Sequence, residues 1–317
     1  MAYHDTTLVP SIGHTVQMKK PESPENSTKV QRPFRRRAAL EAESRRDLLA
    51  PRAPEEKRAE PAIETQDIRH MTDDQPEKIQ LPATRPATWD RLPVVSLGMR
   101  KHLLARSPLV SFFREDPAAK AFDLLRTRLL HALKSRGWRR VAVAAPTAGS
   151  GATFTAVNLA LSLARVPDSR TLLVDLNLRD PGIAPLLGLT DIPARTREFL
   201  KGHIGADEHL VRCSDTLALG LAGEPVRDAS ELLQAPASEI VLDEMIDELS
   251  PDVVLYDLPA VLRSDDLQAF LPNVDAVLLV ADATRTTGEE IRACEKVIGD
   301  AAPLLGIVLN RGRAKAA

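Results

Sequence analysis

The residues of this sequence that could do chemistry stand at the ends of apolar runs. Gly149, Ser150, Gly151, Ala152 and Thr153 follow the run 141–145. They open a stretch in which Phe154, Val157, Leu161 and Ala164 recur at helical spacing. Asp175 closes the run 171–175, Asp257 closes 252–256, and Asn310 closes 304–310. A glycine-rich turn between strand and helix converges backbone N–H groups and a helix N-terminus on an anion. Acidic strand ends beside the hydroxyl of Thr153 are what a nucleotide-bound Mg²⁺ requires. The loop departs from the usual phosphate-binding pattern, which ends Gly-Lys-Ser/Thr: Ala152 stands at the lysine and Pro146 at the first glycine. Taken alone, such a turn can be a tight connection and nothing more, and a single acid at a strand end can simply cap a turn. Their joint placement argues for a site.

The elements that must position these residues alternate. Asp116-Pro117 supplies an N-cap and a first-turn proline for a helix in which Phe122, Leu125, Leu129 and Leu133 recur, and Gly137 ends it. Strands are expected at 141–145, 171–175, 216–221, 252–257, 274–282 and 304–310. Helical segments are expected after the glycine loop and at 230–233, 238–249 and 288–298. Residues 183–215 read as short helices and loops. Near-continuous apolar strands alternating with helices predict an α/β fold, a mostly parallel sheet with helices on both faces. In such a sheet ligands sit beyond the carboxyl ends of the strands, where the singled-out residues fall.

Residues 1–92 are rich in Pro, Glu, Arg, Lys, Ser and Thr, with no sustained apolar period, and are expected to be a disordered polar tail. Arg35-Arg36-Arg37 in that tail reads as a solvated segment, or more sharply as a docking site for an acidic partner or anionic lipid. Residues 93–116 form a transition whose Val94, Val95, Leu109 and Val110 could strap onto the domain, giving a domain at 93–317. The 317 residues carry a net charge of -2, which gives no global argument for nucleic acid. Cys213 and Cys294 form no ligand or disulfide pattern and read as ordinary thiols of a reducing compartment. With no membrane-length apolar run and no basic-then-apolar start, the expected location is cytoplasmic.

The stretches APTAGSGATFTAVNLALSLA, TLLVDLNLRDP and DVVLYDLPAVL resemble the bacterial tyrosine kinases of capsule and exopolysaccharide systems, the CpsD/CapB-like proteins. That family lies in the same P-loop NTPase-like branch as the MinD/ParA ATPases. AKAFDLLRTRLL, DASELLQAP and GIVLNR are similar to further family segments, and the likeness covers about residues 116–312. The resemblance implies ATP or ADP with Mg²⁺, cradled by Gly149, Ser150, Gly151, Ala152 and Thr153, with Asn310 on the nucleotide side. It implies Thr153, Asp175 and Asp257 at the metal, and Asp175, Asp257 and Arg179 as the catalytic set. Asp265 falls where the family has a further acid. A membrane polysaccharide co-polymerase is the implied partner, holding the chain at the inner membrane, and self-assembly is a further expectation.

The departures from the family matter as much. Ala152 removes the phosphate lysine, Asn177 replaces the second acid of Asp-x-Asp, and Ala260 replaces a proline. Lys120 and Asp123 break the Glu-x-x-Arg-x-x-Arg pattern tied to self-assembly, leaving Arg126. The sequence holds two tyrosines, Tyr3 and Tyr256, in place of a C-terminal cluster. Three functions follow. One is a degenerate kinase-like module that acts by binding its membrane partner. Another is a working kinase or ATPase in which Arg179 or a partner's cation replaces the lysine. The last is a MinD/ParA-like positioning ATPase, whose early loop lysine would fall at Thr147.

Overall fold

A computed structural model describes residues 88–97, 109–189 and 195–312, all within one compact unit. The expected tail up to residue 87, with its arginine triplet, lies outside the described residues, as do 98–108 and 313–317.

Seven strands form one sheet in the order β3-β4-β2-β5-β1-β6-β7. They are β1 (Arg140–Ala144), β2 (Thr171–Asp175), β3 (Leu210–Ser214), β4 (Leu217–Gly220), β5 (Val253–Asp257), β6 (Ala276–Asp282) and β7 (Leu304–Asn310). All neighbours pair parallel except β3 with β4, which is antiparallel. Alternation along each strand builds two apolar layers. Ala142, Leu172, Val174, Val254 and Tyr256 enter one; Val141, Val143, Leu173, Val253 and Leu255 enter the other. This is why the central strands read as unbroken apolar runs.

The helices are α1 (Thr88–Arg91), α2 (Pro117–Arg136), α3 (Ala152–Leu163), α4 (Ile183–Leu187), α5 (Thr196–Leu200), α6 (Ala206–His209), α7 (Ala229–Gln234), α8 (Pro236–Leu249), α9 (Asp266–Phe270) and α10 (Gly288–Ile298). Helix α2 starts as its sequence dictates: the Asp116 carboxylate accepts the Ala118 amide at 2.7 Å, and left-handed Gly137 closes the other end. In α10, Thr287 and Glu290 form a reciprocal capping box.

Two expectations change. The domain does not begin at 93, because α1 precedes it. Trp89 is fully buried, its indole N–H donates to the Asp215 carbonyl at 2.9 Å, and the Arg170 guanidinium lies over its ring. Residues 183–215 also hold a strand, β3. Of the expected strap, Arg212 donates to the Pro93 carbonyl and Val95 to the Arg212 carbonyl, so 93–95 extend the sheet beyond β3, and Leu109 and Val110 are buried, but the Val94 side chain is exposed.

Candidate functional site

The glycine loop joins β1 to α3 at the carboxyl edge of the sheet. Ser150 Oγ donates to the Thr147 carbonyl at 2.9 Å and closes the turn. Gly151 takes φ 96°, and a Cβ there would stand 2.1 Å from Asn310 Nδ2, so only glycine fits. That amide group donates to the Ser150 carbonyl at 3.0 Å, tying the end of β7 to the loop. No side chain caps α3, whose first amides are left for solvent or an anion. On the outer side, Arg285 Nη2 and Arg311 Nη1 each donate to the Gly149 carbonyl at 3.0 Å. Both arginines also pair with Asp282, the buried end of β6. Burial opposes ionisation of Asp282. Hydrogen bonds from the Thr284 hydroxyl and amide, and from both arginines, outweigh it and hold the carboxyl well below the usual range.

Asp175 and Asp257 face each other as register partners on β2 and β5, both fully buried. Burial raises Asp175 to about 7. The amides of Ile183, Gly182 and Asn177 pull the other way, and nearby Asp180 adds to the rise. For Asp257, burial and then the Asp175 charge push the carboxyl well above its ordinary range, and Thr153 is the neighbour that eases its ionisation. Neither Asp257 oxygen meets a hydrogen bond of good geometry. Two buried carboxylates this close cannot both ionise without a cation. An orphaned carboxylate, its acidic neighbour and the Thr153 hydroxyl fit Mg²⁺, which is commonly held by one or two carboxylates plus substrate phosphates. Among the described residues no group of three His, Cys, Asp or Glu side chains is placed to hold a metal by itself.

A cavity of about 360 Å³ opens over the loop. Thr147, Gly149, Ser150, Gly151, Ala152 and Thr153 line it, together with Asn177, Asp180, Arg263 and Arg311. The structure therefore gathers Gly149 to Thr153, Asn310, Asp175 and Asp257 at one rim. It does not bring Arg179 there. Its guanidinium makes a bidentate pair with Asp266, at 2.7 and 2.9 Å, and donates to the Arg227 carbonyl. The expectation that Arg179 replaces the loop lysine thus gives way to a pair that holds α9, formed because Asp266 is buried and needs a counter-charge. The buried acid of this segment is Asp266, whereas Asp265 is exposed. Sequence reasoning missed Arg263, Arg311, Asp180 and Asp282. Asp282 ends an apolar run as Asp175 does, and Arg311 follows Asn310, so both carried a signal; Arg263 carried none.

Arg126, the surviving arginine of the assembly pattern, is occupied within the chain. It bonds Asp123 Oδ1 at 3.2 Å and the Ser162 carbonyl of α3 at 3.1 Å, and Arg165 joins the same carboxylate.

No family model matches the chain. Over 182 residues it is 29% identical to the succinoglycan biosynthesis transport protein ExoP of Rhizobium meliloti (strain 1021), covering 55% of this chain and 22% of ExoP. Over 195 residues it is 25% identical to the tyrosine-protein kinase YwqD of Bacillus subtilis (strain 168), covering 61% of this chain and 80% of YwqD. Among solved structures, the kinase domain of VpsO aligns with a TM-score of 0.53 at 27% identity, over 62% of this chain and 98% of that domain. The chain is thus homologous to ExoP and YwqD and has the fold of a bacterial tyrosine-kinase domain. It spans less than a quarter of ExoP. Among the described residues no helix is long and apolar enough to cross a membrane.

Proposed function

We propose that this homologue of ExoP and YwqD is a nucleotide-binding, kinase-derived module of exopolysaccharide biosynthesis. It binds Mg·ATP or Mg·ADP weakly, transfers phosphate poorly or not at all, and acts by docking on a membrane polysaccharide co-polymerase at the inner membrane. The observation that carries the reading is the cavity over the glycine loop, with Asp175 and Asp257 buried beneath it and Ala152 at the lysine position. When bound, Mg²⁺ would neutralise the acidic pair and polarise the phosphates. The chain's own residues would do the rest. Loop amides from Gly149 to Thr153 would hold phosphate oxygens, the Thr153 hydroxyl would orient the cation, and Asp175 and Asp257 would give up their protons to receive it. Asn310 would keep the loop closed on the nucleotide side.

Transfer is a separate demand. Removing the lysine takes away charge that would stabilise the transferring phosphate, and Asn177 is a poorer base than a carboxylate. A working kinase or ATPase is the second reading, favoured by the arginines that line the cavity, Arg263 and Arg311. Calorimetric titration of the full chain with Mg·ATP tests the binding half: measurable heat that vanishes without Mg²⁺ supports it, and no binding at millimolar nucleotide sinks it. Co-expression with a membrane polysaccharide co-polymerase tests the docking half, because the chain should then move to the membrane fraction.

A further inference from the structure

The other arginines around the glycine loop are committed to partners within the chain. Arg179 is held by Asp266. Arg285 and Arg311 share the single carboxylate of Asp282, which offsets one of their two charges, and both guanidiniums are pinned to the Gly149 carbonyl, where they serve the loop's shape. Arg263 differs. It lines the cavity, is exposed, and among the described residues forms no ion pair.

Its place is also fixed. After β5 the chain passes Leu258, Pro259 and Ala260 and is stitched to the approach of the glycine loop. Val261 donates its amide to the Ala145 carbonyl at 2.8 Å, Leu262 to Pro146 at 3.1 Å, and Arg263 to Ala260 at 3.1 Å. The turn that carries Arg263 thus moves with the loop that would hold the phosphates. Ala152, the residue that should bring a cation, lines the same cavity.

We propose that Arg263 is the phosphate-binding cation of this pocket, supplying from the loop after β5 the charge that Ala152 withholds. The inference rests on the nucleotide reading of the cavity and extends it to a chain-specific ligand. A guanidinium fork presents two parallel N–H donors to a phosphate, which suits a cation reaching in from a neighbouring loop, where a lysine of the glycine loop itself would act as a point charge. The ligand class is a nucleoside triphosphate, because the loop lysine whose place Ala152 takes is the one that reaches the terminal phosphates.

The test uses the full chain, Mg·ADP and a non-hydrolysable Mg·ATP analogue, and four proteins: wild type, Arg263→Ala, Ala152→Lys, and the double variant. Arg263→Ala should weaken the triphosphate analogue by about tenfold, the scale of one lost charged hydrogen bond, and Mg·ADP by less. A fifth protein, Arg263→Lys, should recover part of the loss. The melting temperature should not change, since the side chain is exposed. In the Ala152→Lys background, removing Arg263 should cost little, because the loop then has its own cation. Equal triphosphate affinity for wild type and Arg263→Ala overturns the proposal alone. So does binding that appears only with Ala152→Lys, which would show a phosphate site that Arg263 does not serve. Binding by none of the four proteins overturns the nucleotide reading, and the proposal with it.

Discussion

The buried carboxylate pair is where this chain sacrifices stability. Neither carboxylate oxygen of Asp257 meets a hydrogen bond of good geometry, and the residue faces Asp175 across the β2–β5 register, an arrangement no apolar core requires. Asp257→Asn should raise the stability of the metal-free protein by about 1 kcal/mol, as stabilising changes at functional sites commonly do, while abolishing Mg²⁺-dependent nucleotide binding. A melt and a titration on the same sample check both; a fall in stability with binding intact would make the pair structural. His209 is another buried titratable group whose polar atoms meet no hydrogen bond. It stacks on Phe199 with ring centroids 4.7 Å apart, and burial lowers it from 6.5 to about 4. A depressed folded pKa means that the neutral ring's contribution is complete above about 6.5 and drains away as the pH falls toward 4. The total is on the order of 3 kcal/mol. Denaturant midpoints at stepped pH should show this acid limb, and His209→Phe should flatten it. At this scale the sequence revealed the acids that end apolar runs. It hid Arg263 and the true partner of Arg179, because an arginine's commitments depend on which carboxylates the fold buries beside it.

Elements with strong local signals read correctly. The proline start and glycine stop of α2, the apolar runs of β2 and β7, and the span of α10 are each written in a few neighbouring residues. Elements that exist through tertiary context did not. Strand β3 has the mixed pattern LVRCS, and it is a strand because β4 on one side and residues 93–95 on the other satisfy its backbone. Helix α1 is four residues long and has no stability of its own; Trp89 makes it part of the domain by filling a fully buried site. Trp89→Ala should therefore destabilise the whole domain by about 3–5 kcal/mol. Limited proteolysis of the wild type should leave a core that begins at or before Thr88. A stable fragment beginning at residue 93 or later would show that α1 is dispensable.

At the scale of the molecule, the fold separates what binds from what could receive phosphate. Tyr256 lies in β5, between β2 and β1, fully buried and edge-on to Phe270 with centroids 4.9 Å apart. Burial pushes its hydroxyl further from ionisation. Presenting it to a neighbouring active site would require opening the centre of the sheet. Tyr3, the other tyrosine, lies outside the described residues. On the proposed function, the pocket holds nucleotide without passing phosphate to tyrosine. Phosphosite mapping by mass spectrometry, after incubation of the purified chain with Mg·ATP, should then find no stoichiometric phosphotyrosine. Stoichiometric phosphate on Tyr3, lost in Asp257→Asn, would contradict it and establish an active kinase.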